Sequence, residues 1–349
     1  MKRFKMESSM EENIDKLGKE KWSLSLILKG MCMGIAEVIP GVSGGTIAFI
    51  TGIYKKLIDS IKAFDLKTIT LLFNGDFKKV WSKINGPFLT LLLLGMGIGV
   101  VLGVFGVSHM LSEFPEILWA FFFGLILASV PMMLSTIKEK SIIVILSFIV
   151  AVVLAYIITC LSPVEASESK LYIFLCGMIA IVALVLPGVS GSFILLLLGA
   201  YTIIIPLLKG FLSNPTLDAF VTLAVFGIGC LTGLFLFVRL VSKAYNDHYN
   251  VTIGLMSGFM LGSLNKIWPW RNPKILLDKD KAEIINVDNS NHQLFDILDH
   301  KFKILQETNV FPNAYYYNDH LWMVLIAFVA GVLMVCLLHK FSVQNKVTI

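Results

Sequence analysis

The sequence predicts an all-α polytopic membrane protein, and three observations predict it. Of the 349 residues, 56% are hydrophobic and only 15% charged, against roughly 25% charged in an ordinary soluble domain. Apolar runs of about twenty residues, each long enough to cross ~30 Å of hydrocarbon, recur along most of the chain. The third observation is a duplication. Residues 30–54 read GMCMGIAEVIPGVSGGTIAFITGIY and residues 177–201 read GMIAIVALVLPGVSGSFILLLLGAY, with 12 identities in 25 ungapped positions. Apolar composition gives scattered Leu and Val matches, but it does not align a PGVSG block with two further glycines and a tyrosine.

In chain order, residues 1–22 are polar and lead into membrane sequence without an A-x-A-like site, which predicts an uncleaved cytoplasmic segment. A first membrane repeat over 23–162 and a second over 171–341 follow. Each holds a PGVSG hairpin (23–58 and 172–208) and three spans, at 87–107, 117–136 and 141–161 and then at 219–239, 249–267 and 321–339. The likeness continues weakly: FLTLLLLGMG from Phe88 resembles FVTLAVFGIG from Phe220, FGLILAS from Phe123 resembles SGFMLGS from Ser257, and the run from Ile142 resembles that from Trp322. The arm Leu24 to Ile39 is sixteen residues, or ~24 Å of helix, too short to span. Proline and its neighbouring glycines break helical hydrogen bonding, so each hairpin is expected to be re-entrant. A break at membrane depth has to be buried in protein or line a water-filled cavity.

Charge sets the topology. The segments assigned to the cytoplasm hold 20 Lys and Arg, whereas the short external segments hold only Lys170 and Lys209. The net charge of +5 is spread over these loops rather than gathered in one patch, which argues against nucleic acid. The external insertion 268–320 is nearly balanced in charge and ends in Phe311, Tyr315, Tyr316 and Tyr317, which predicts a small cap at the outer headgroups. Three crossings per half is an odd number, so the second half enters upside down. Such inverted repeats place a site near the midplane on discontinuous helices. Both termini are then cytoplasmic. The five cysteines show no CxxC spacing and the histidines no HExxH, so no metal or cofactor is expected.

The chemistry is expected at the breaks. After Pro40 the chain turns through Gly41, Val42, Ser43, Gly44, Gly45 and Thr46 and opens a helix whose free N–H groups and dipole attract an anion. Ser43 suits the N-cap, and the second copy supplies Ser190, Gly191 and Ser192. Two such ends meeting would cradle a phosphate or another small anion; the alternative is that the glycines merely permit close helix packing. Glu37 is matched by Leu184 in the second copy. Desolvation raises the pKa of a buried carboxyl, so Glu37 is the candidate proton carrier, unless it pairs with a base or caps backbone N–H groups. Arg239 is a candidate phosphate ligand or a topology anchor. Lys29 reads as a snorkelling cation, and Asn265 as a ligand contact or a helix tie.

On these residues, above all AEVIPGVSGGT in one half and LVLPGVSGSF in the other, the chain resembles the bacterial undecaprenyl phosphate translocase family. The resemblance implies that undecaprenyl phosphate, the carrier lipid of cell-wall precursors, is flipped from the outer to the inner leaflet of the bacterial cytoplasmic membrane for reuse. The family's motif falls on Glu37, Pro40, Gly41, Ser43, Gly44, Gly45 and Thr46 and on Pro187, Gly188, Ser190, Gly191 and Ser192. It implies polyprenyl phosphate, membrane lipids and a proton or other coupling ion as partners, with a homo-oligomer open. Two other classes stand beside it. A secondary transporter or channel for a small soluble anion uses the same helix ends. A membrane-embedded lipid phosphatase needs a paired His motif or acidic metal cluster that the sequence lacks, so no enzyme is expected.

Overall fold

A computed structural model describes residues 24–39, 42–164, 166, 167, 169–278, 284–288 and 302–347. The polar segment 1–22, Pro40 and Gly41 lie outside the described residues.

The first repeat begins with α1 (Leu24–Val38), which stops where the residue before Pro40 is pushed out of the helical region. The chain restarts as α2 (Gly44–Ile50), bends, and continues as α3 (Tyr54–Lys62). Two further short helices, α4 (Leu66–Phe73) and α5 (Phe77–Lys83), lead to the long helices α6 (Gly86–Glu113), α7 (Pro115–Leu134) and α8 (Ile142–Cys160). Asp65 caps α4 by accepting from the Thr68 N–H, and Lys83 bonds to it, which holds its carboxyl well below the usual carboxylate range. The second repeat runs through α9 (Lys170–Val185), α10 (Gly191–Leu197), α11 (Tyr201–Ser213), α12 (Leu217–Asp247) and α13 (Tyr249–Ser263), a 3-10 turn over Leu264–Ile267, and α14 (Leu321–Val347).

Among the described residues, α7, α8, α12 and the Gly86–Leu111 part of α6 are long and apolar enough to cross a membrane. The pair α10 and α11, bent by 112°, is a broken span or a re-entrant loop; α9 and Leu321–Leu337 are shorter apolar helices. Large apolar side chains such as Leu94, Phe105, Ile142, Leu154, Trp322 and Ile326 are exposed on the outside of the bundle, the surface lipid covers rather than water.

Both hairpins fold back on themselves, and equivalent carbonyls tie them. Lys29 Nζ donates to Thr51 O at 3.1 Å, so it caps the end of α2 rather than snorkelling outward. In the second repeat Tyr172 Oη donates to Leu198 O, the position that corresponds to Thr51. Gly52 and its counterpart Gly199 both take φ values, 73° and 66°, that favour glycine.

Four helix pairs carry the packing: α1 with α6, α9 with α12, α7 with α14, and α8 with α13. Each seam is set by glycine against backbone. Gly30 abuts Leu92 O as Gly177 abuts Phe226 O; Gly95 abuts Ile27 O as Gly229 abuts Phe174 O; Gly124 abuts Phe328 O as Gly258 abuts Phe148 O. These contacts thus come in pairs at equivalent positions of the duplicated sequence. The seams also correct the letter alignment of α6 with α12: the partner of Gly95 is Gly229, two residues past Gly227, where a Cβ would meet nothing within 4 Å.

The insertion corrects the expectation of an all-helical chain. The segments β1 (Arg271–Asp278), β2 (Ile284–Asn286) and β3 (Phe302–Asn309) form an antiparallel sheet in the order β2-β1-β3, with Arg271 opposite Asn309. A segment outside the hydrocarbon is free to bond its backbone between strands, and Pro273 sits at the irregularity between β1 and β3, where its missing N–H is tolerated. Trp268 Nε1 donates to Val310 O and Trp270 Nε1 to Asp319 O. Trp270 also packs on Ala120 of α7 and Val324 of α14, which moors the sheet to the helices.

Candidate functional site

The first break lies at the centre of the main core, where Ile39, Val42, Phe49, Met256 and Met260 are almost fully buried. Ser43 takes an extended conformation and N-caps α2, its Oγ accepting from the Gly45 N–H at 3.0 Å. Glu37, in the last turn of α1, turns its Oε1 to the Gly44 N–H at 2.8 Å. Thus one of the readings held open for Glu37, a backbone cap, is its observed contact, and the carboxylate complements the positive end of α2.

At the second break Gly188 has φ 88°, and a Cβ there would lie 2.7 Å from the Phe259 carbonyl carbon and the Met260 N. Ser190 stands at the N-cap position of α10 without a side-chain cap bond to a backbone N–H; its Oγ lies 3.0 Å from the Ser192 Oγ. Ser190 is buried and Ser192 exposed.

The two breaks meet. Ser43 Oγ donates to Leu184 O at 2.8 Å, and the Gly188 N–H donates to Thr46 Oγ1 at 2.8 Å. Gly45 is pressed so closely on the Val185 carbonyl that an added Cβ would lie 2.5 Å from the oxygen. The expected donors are therefore together, but they bond one another. Ser43 and Thr46 are 1% and 0% exposed, so the two breaks form a closed contact rather than an open cradle. The bonding is also one-sided: the first break reaches over the second, and the matching bond from Ser190 to Glu37 O is replaced by the Ser190–Ser192 contact.

Arg239 does not join the site. The register that seats Gly233 on Met178 brings Arg239 level with Leu184, at the depth of the break, but its side chain is on the exposed face of α12. Gly41 lies outside the described residues. Asn265 is a tie between elements, donating to Thr159 Oγ1 and meeting the Asn309 side chain at 2.8 Å. The five cysteines are free, and no group of three metal-binding side chains occurs among the described residues.

A cavity of about 310 Å3 opens above the second break between the end of α8, α10 and the β-sheet, and a small one of about 10 Å3 reaches Gly188 and Ser190 beneath it. Lys266 and Phe193 line both. Lys266 Nζ lies 4.8 Å over the Phe193 ring and 3.8 Å from Glu307 Oε2, which also accepts from Arg271 Nη1 at 2.9 Å.

The model of a protein family described as undecaprenyl phosphate translocase-like matches residues 33–285, a stretch that contains both breaks, the end of α1 and all helices from α2 to α13. The chain belongs to this family. It is 41% identical over 254 residues to the polyprenyl-phosphate transporter of Vibrio cholerae serotype O1, covering 73% of this chain and 80% of that one. It is 29% identical over 257 residues to the polyprenyl-phosphate transporter of Staphylococcus aureus, covering 70% and 85%. No solved structure matches.

For a member of the undecaprenyl phosphate translocase-like family, the polar residues that the sequence reading passed over are those above the second break: Lys266, Arg271, Glu307 and Thr159. One signal for them was present. Lys266 falls inside a predicted span, 249–267, and an intramembrane cation is a functional hypothesis by default.

Proposed function

We propose that this chain moves undecaprenyl phosphate, or a closely related polyprenyl phosphate, from the outer to the inner leaflet of the bacterial cytoplasmic membrane for reuse of the carrier lipid. The observation that carries the reading is the direct meeting of two PGVSG breaks in the core of a chain 41% identical to a polyprenyl-phosphate transporter. An anionic head needs N–H and hydroxyl donors to cross hydrocarbon, and the breaks gather Ser43, Gly44, Gly45 and Thr46 with Ser190, Gly191 and Ser192. In the closed form these donors satisfy each other; separating the breaks frees them for a phosphate.

The two repeats, 23–162 and 171–341, are related in this reading by a pseudo-two-fold axis in the membrane plane, with re-entrant hairpins and cytoplasmic termini. The matched glycine seams support it, because the same contacts recur between equivalent helices of opposite halves. Glu37 carries the coupling proton: neutral, it admits a phosphate that its charged form repels, and its loss of the proton on one side favours release there. Transport of lipid rather than catalysis makes the chain a carrier, not an enzyme.

The test is leaflet-resolved movement of a fluorescent polyprenyl phosphate in proteoliposomes, with inorganic phosphate flux measured in parallel. Accelerated lipid movement without phosphate flux is the expected result. Phosphate flux without lipid movement overturns the reading in favour of a soluble-anion transporter.

A further inference from the structure

We propose that the cavity under the β-sheet is a docking site where Lys266 and Arg271 hold the phosphate head of a lipid before it passes to the breaks. The inference rests on the transport reading and adds the place and the residues of first capture.

Charge comes first. Of the described residues lining this cavity, Lys266, Arg271 and Glu307 are the charged ones, so among them two cations face one carboxylate. Glu307 Oε2 is shared between them, at 2.9 Å from Arg271 Nη1 and 3.8 Å from Lys266 Nζ. A pair built only to fasten the sheet needs one cation; the second is in excess, and a largely buried uncompensated cation is costly unless an anion joins it. Arg271 is only 9% exposed, its guanidinium lies 4.4 Å from the Trp119 ring, and its Nε is buried without a hydrogen-bond partner. Packed this way, the planar fork is held in one orientation, the form in which arginine binds phosphate best.

Shape supports a lipid rather than a free ion. Facing the cations, the cavity wall is formed by Tyr156, Leu161 and Leu196. Tyr156 and Leu161 are more than half exposed on the outside of the bundle, where a polyprenyl tail meets hydrocarbon. Below, Lys266 and Phe193 also line the small cavity that ends at Ser190, with Lys266 Nζ over the Phe193 ring. Ser190 and Ser192 hydroxyls, bonded to each other, are next in line to receive the head.

The test uses the full chain in lipid nanodiscs with two probes, a short-chain polyprenyl phosphate and inorganic phosphate, and two variants of opposite sign. Lys266→Gln is expected to weaken lipid-phosphate binding by about tenfold or more, the loss of a hydrogen bond to a charged group. Glu307→Gln removes the competing carboxylate and is expected to tighten it. A cluster that merely fastens the sheet predicts loss or no change in both, and a Glu307→Gln that fails to tighten overturns the proposal even where Lys266→Gln does not fold. Inorganic phosphate that binds as tightly as the lipid, with the same dependence on Lys266, overturns the lipid assignment. A wild-type chain that neither binds nor moves polyprenyl phosphate removes the transport reading itself. Wild-type transport with binding indifferent to both substitutions removes the docking site alone.

Discussion

At Glu37 two roles, cap and proton carrier, can be separated by substitution. Its Oε1 accepts from the buried Gly44 N–H at 2.8 Å. In the second repeat the equivalent side chain is Leu184, and a Cβ on Gly191 would lie 2.9 Å from the Leu184 Cβ, so hydrocarbon covers the helix start there. Glu37→Leu copies that arrangement and leaves the Gly44 N–H without its acceptor, a loss of about 1–3 kcal/mol of stability. Glu37→Gln keeps a carbonyl oxygen in place and gives up only the extra strength of a charge-assisted bond, about 1 kcal/mol or less. Thermal unfolding in detergent should therefore rank wild type, Gln and Leu in that order, with Gln close to wild type. Transport should rank differently. Glu37→Gln is fixed in the neutral state, so polyprenyl phosphate binding is retained or tightened while net transport and its response to a pH gradient are lost. Proteoliposomes with a fluorescent polyprenyl phosphate and an imposed pH gradient read both. A Glu37→Gln chain with wild-type rates and an unaltered pH response refutes the coupling role and leaves the carboxyl as a cap.

Three further outcomes follow from the same geometry. Ser43→Ala strips a donor from Leu184 O and an acceptor from the Gly45 N–H and should cost about 1–3 kcal/mol in thermal unfolding; Ser190→Ala, whose hydroxyl meets only Ser192, should keep its stability and lose polyprenyl phosphate affinity. Gly99→Ala drives a Cβ into the Met31 carbonyl of the α1/α6 seam, and overpacking of this kind costs about 1–3 kcal/mol or more, read as a lowered unfolding temperature. In a background with the five cysteines replaced, Ser135→Cys should label from the cytoplasmic side and Ser167→Cys from outside; labelling of both from one side refutes the inverted topology.

Much of the architecture could be read from the letters because the membrane permits few solutions. The six expected spans lie, to within two residues, inside helices α6, α7, α8, α12, α13 with its 3-10 turn, and α14, of which α6, α7, α8 and α12 are long and apolar enough to cross a membrane, and each PGVSG block breaks its helix. Proline and glycine act locally, so their effect is visible in the sequence. The β-sheet was not, since its strands of eight and three residues pair through partners that range from 7 to 38 positions away. Lys29 departs from the snorkelling reading because a cation on an apolar helix looks the same in sequence whether it points outward, as Arg239 does, or turns back to cap a carbonyl, as Lys29 does on Thr51 O. The closure of the breaks was also out of reach. Residue types show that Ser43 and Thr46 can donate or accept, but only the fold shows that Leu184 O and the Gly188 N–H occupy them.

The glycine seams bear on mechanics. Two of them, α1 on α6 and α9 on α12, lie within a repeat, but α7 grips α14 and α8 grips α13 across the repeats. The halves of the gene are thus not the halves of the machine. Pulling one repeat away from the other would tear two backbone-to-backbone seams, whereas moving a hairpin together with its long partner helix tears none of the four. A motion that opened the breaks without tearing a seam would be a swing of the α1–α6 and α9–α12 arms, like two levers, against a block of α7, α8, α13 and α14. In that block the duplicated units have traded helices, and the trade supplies the fulcrum.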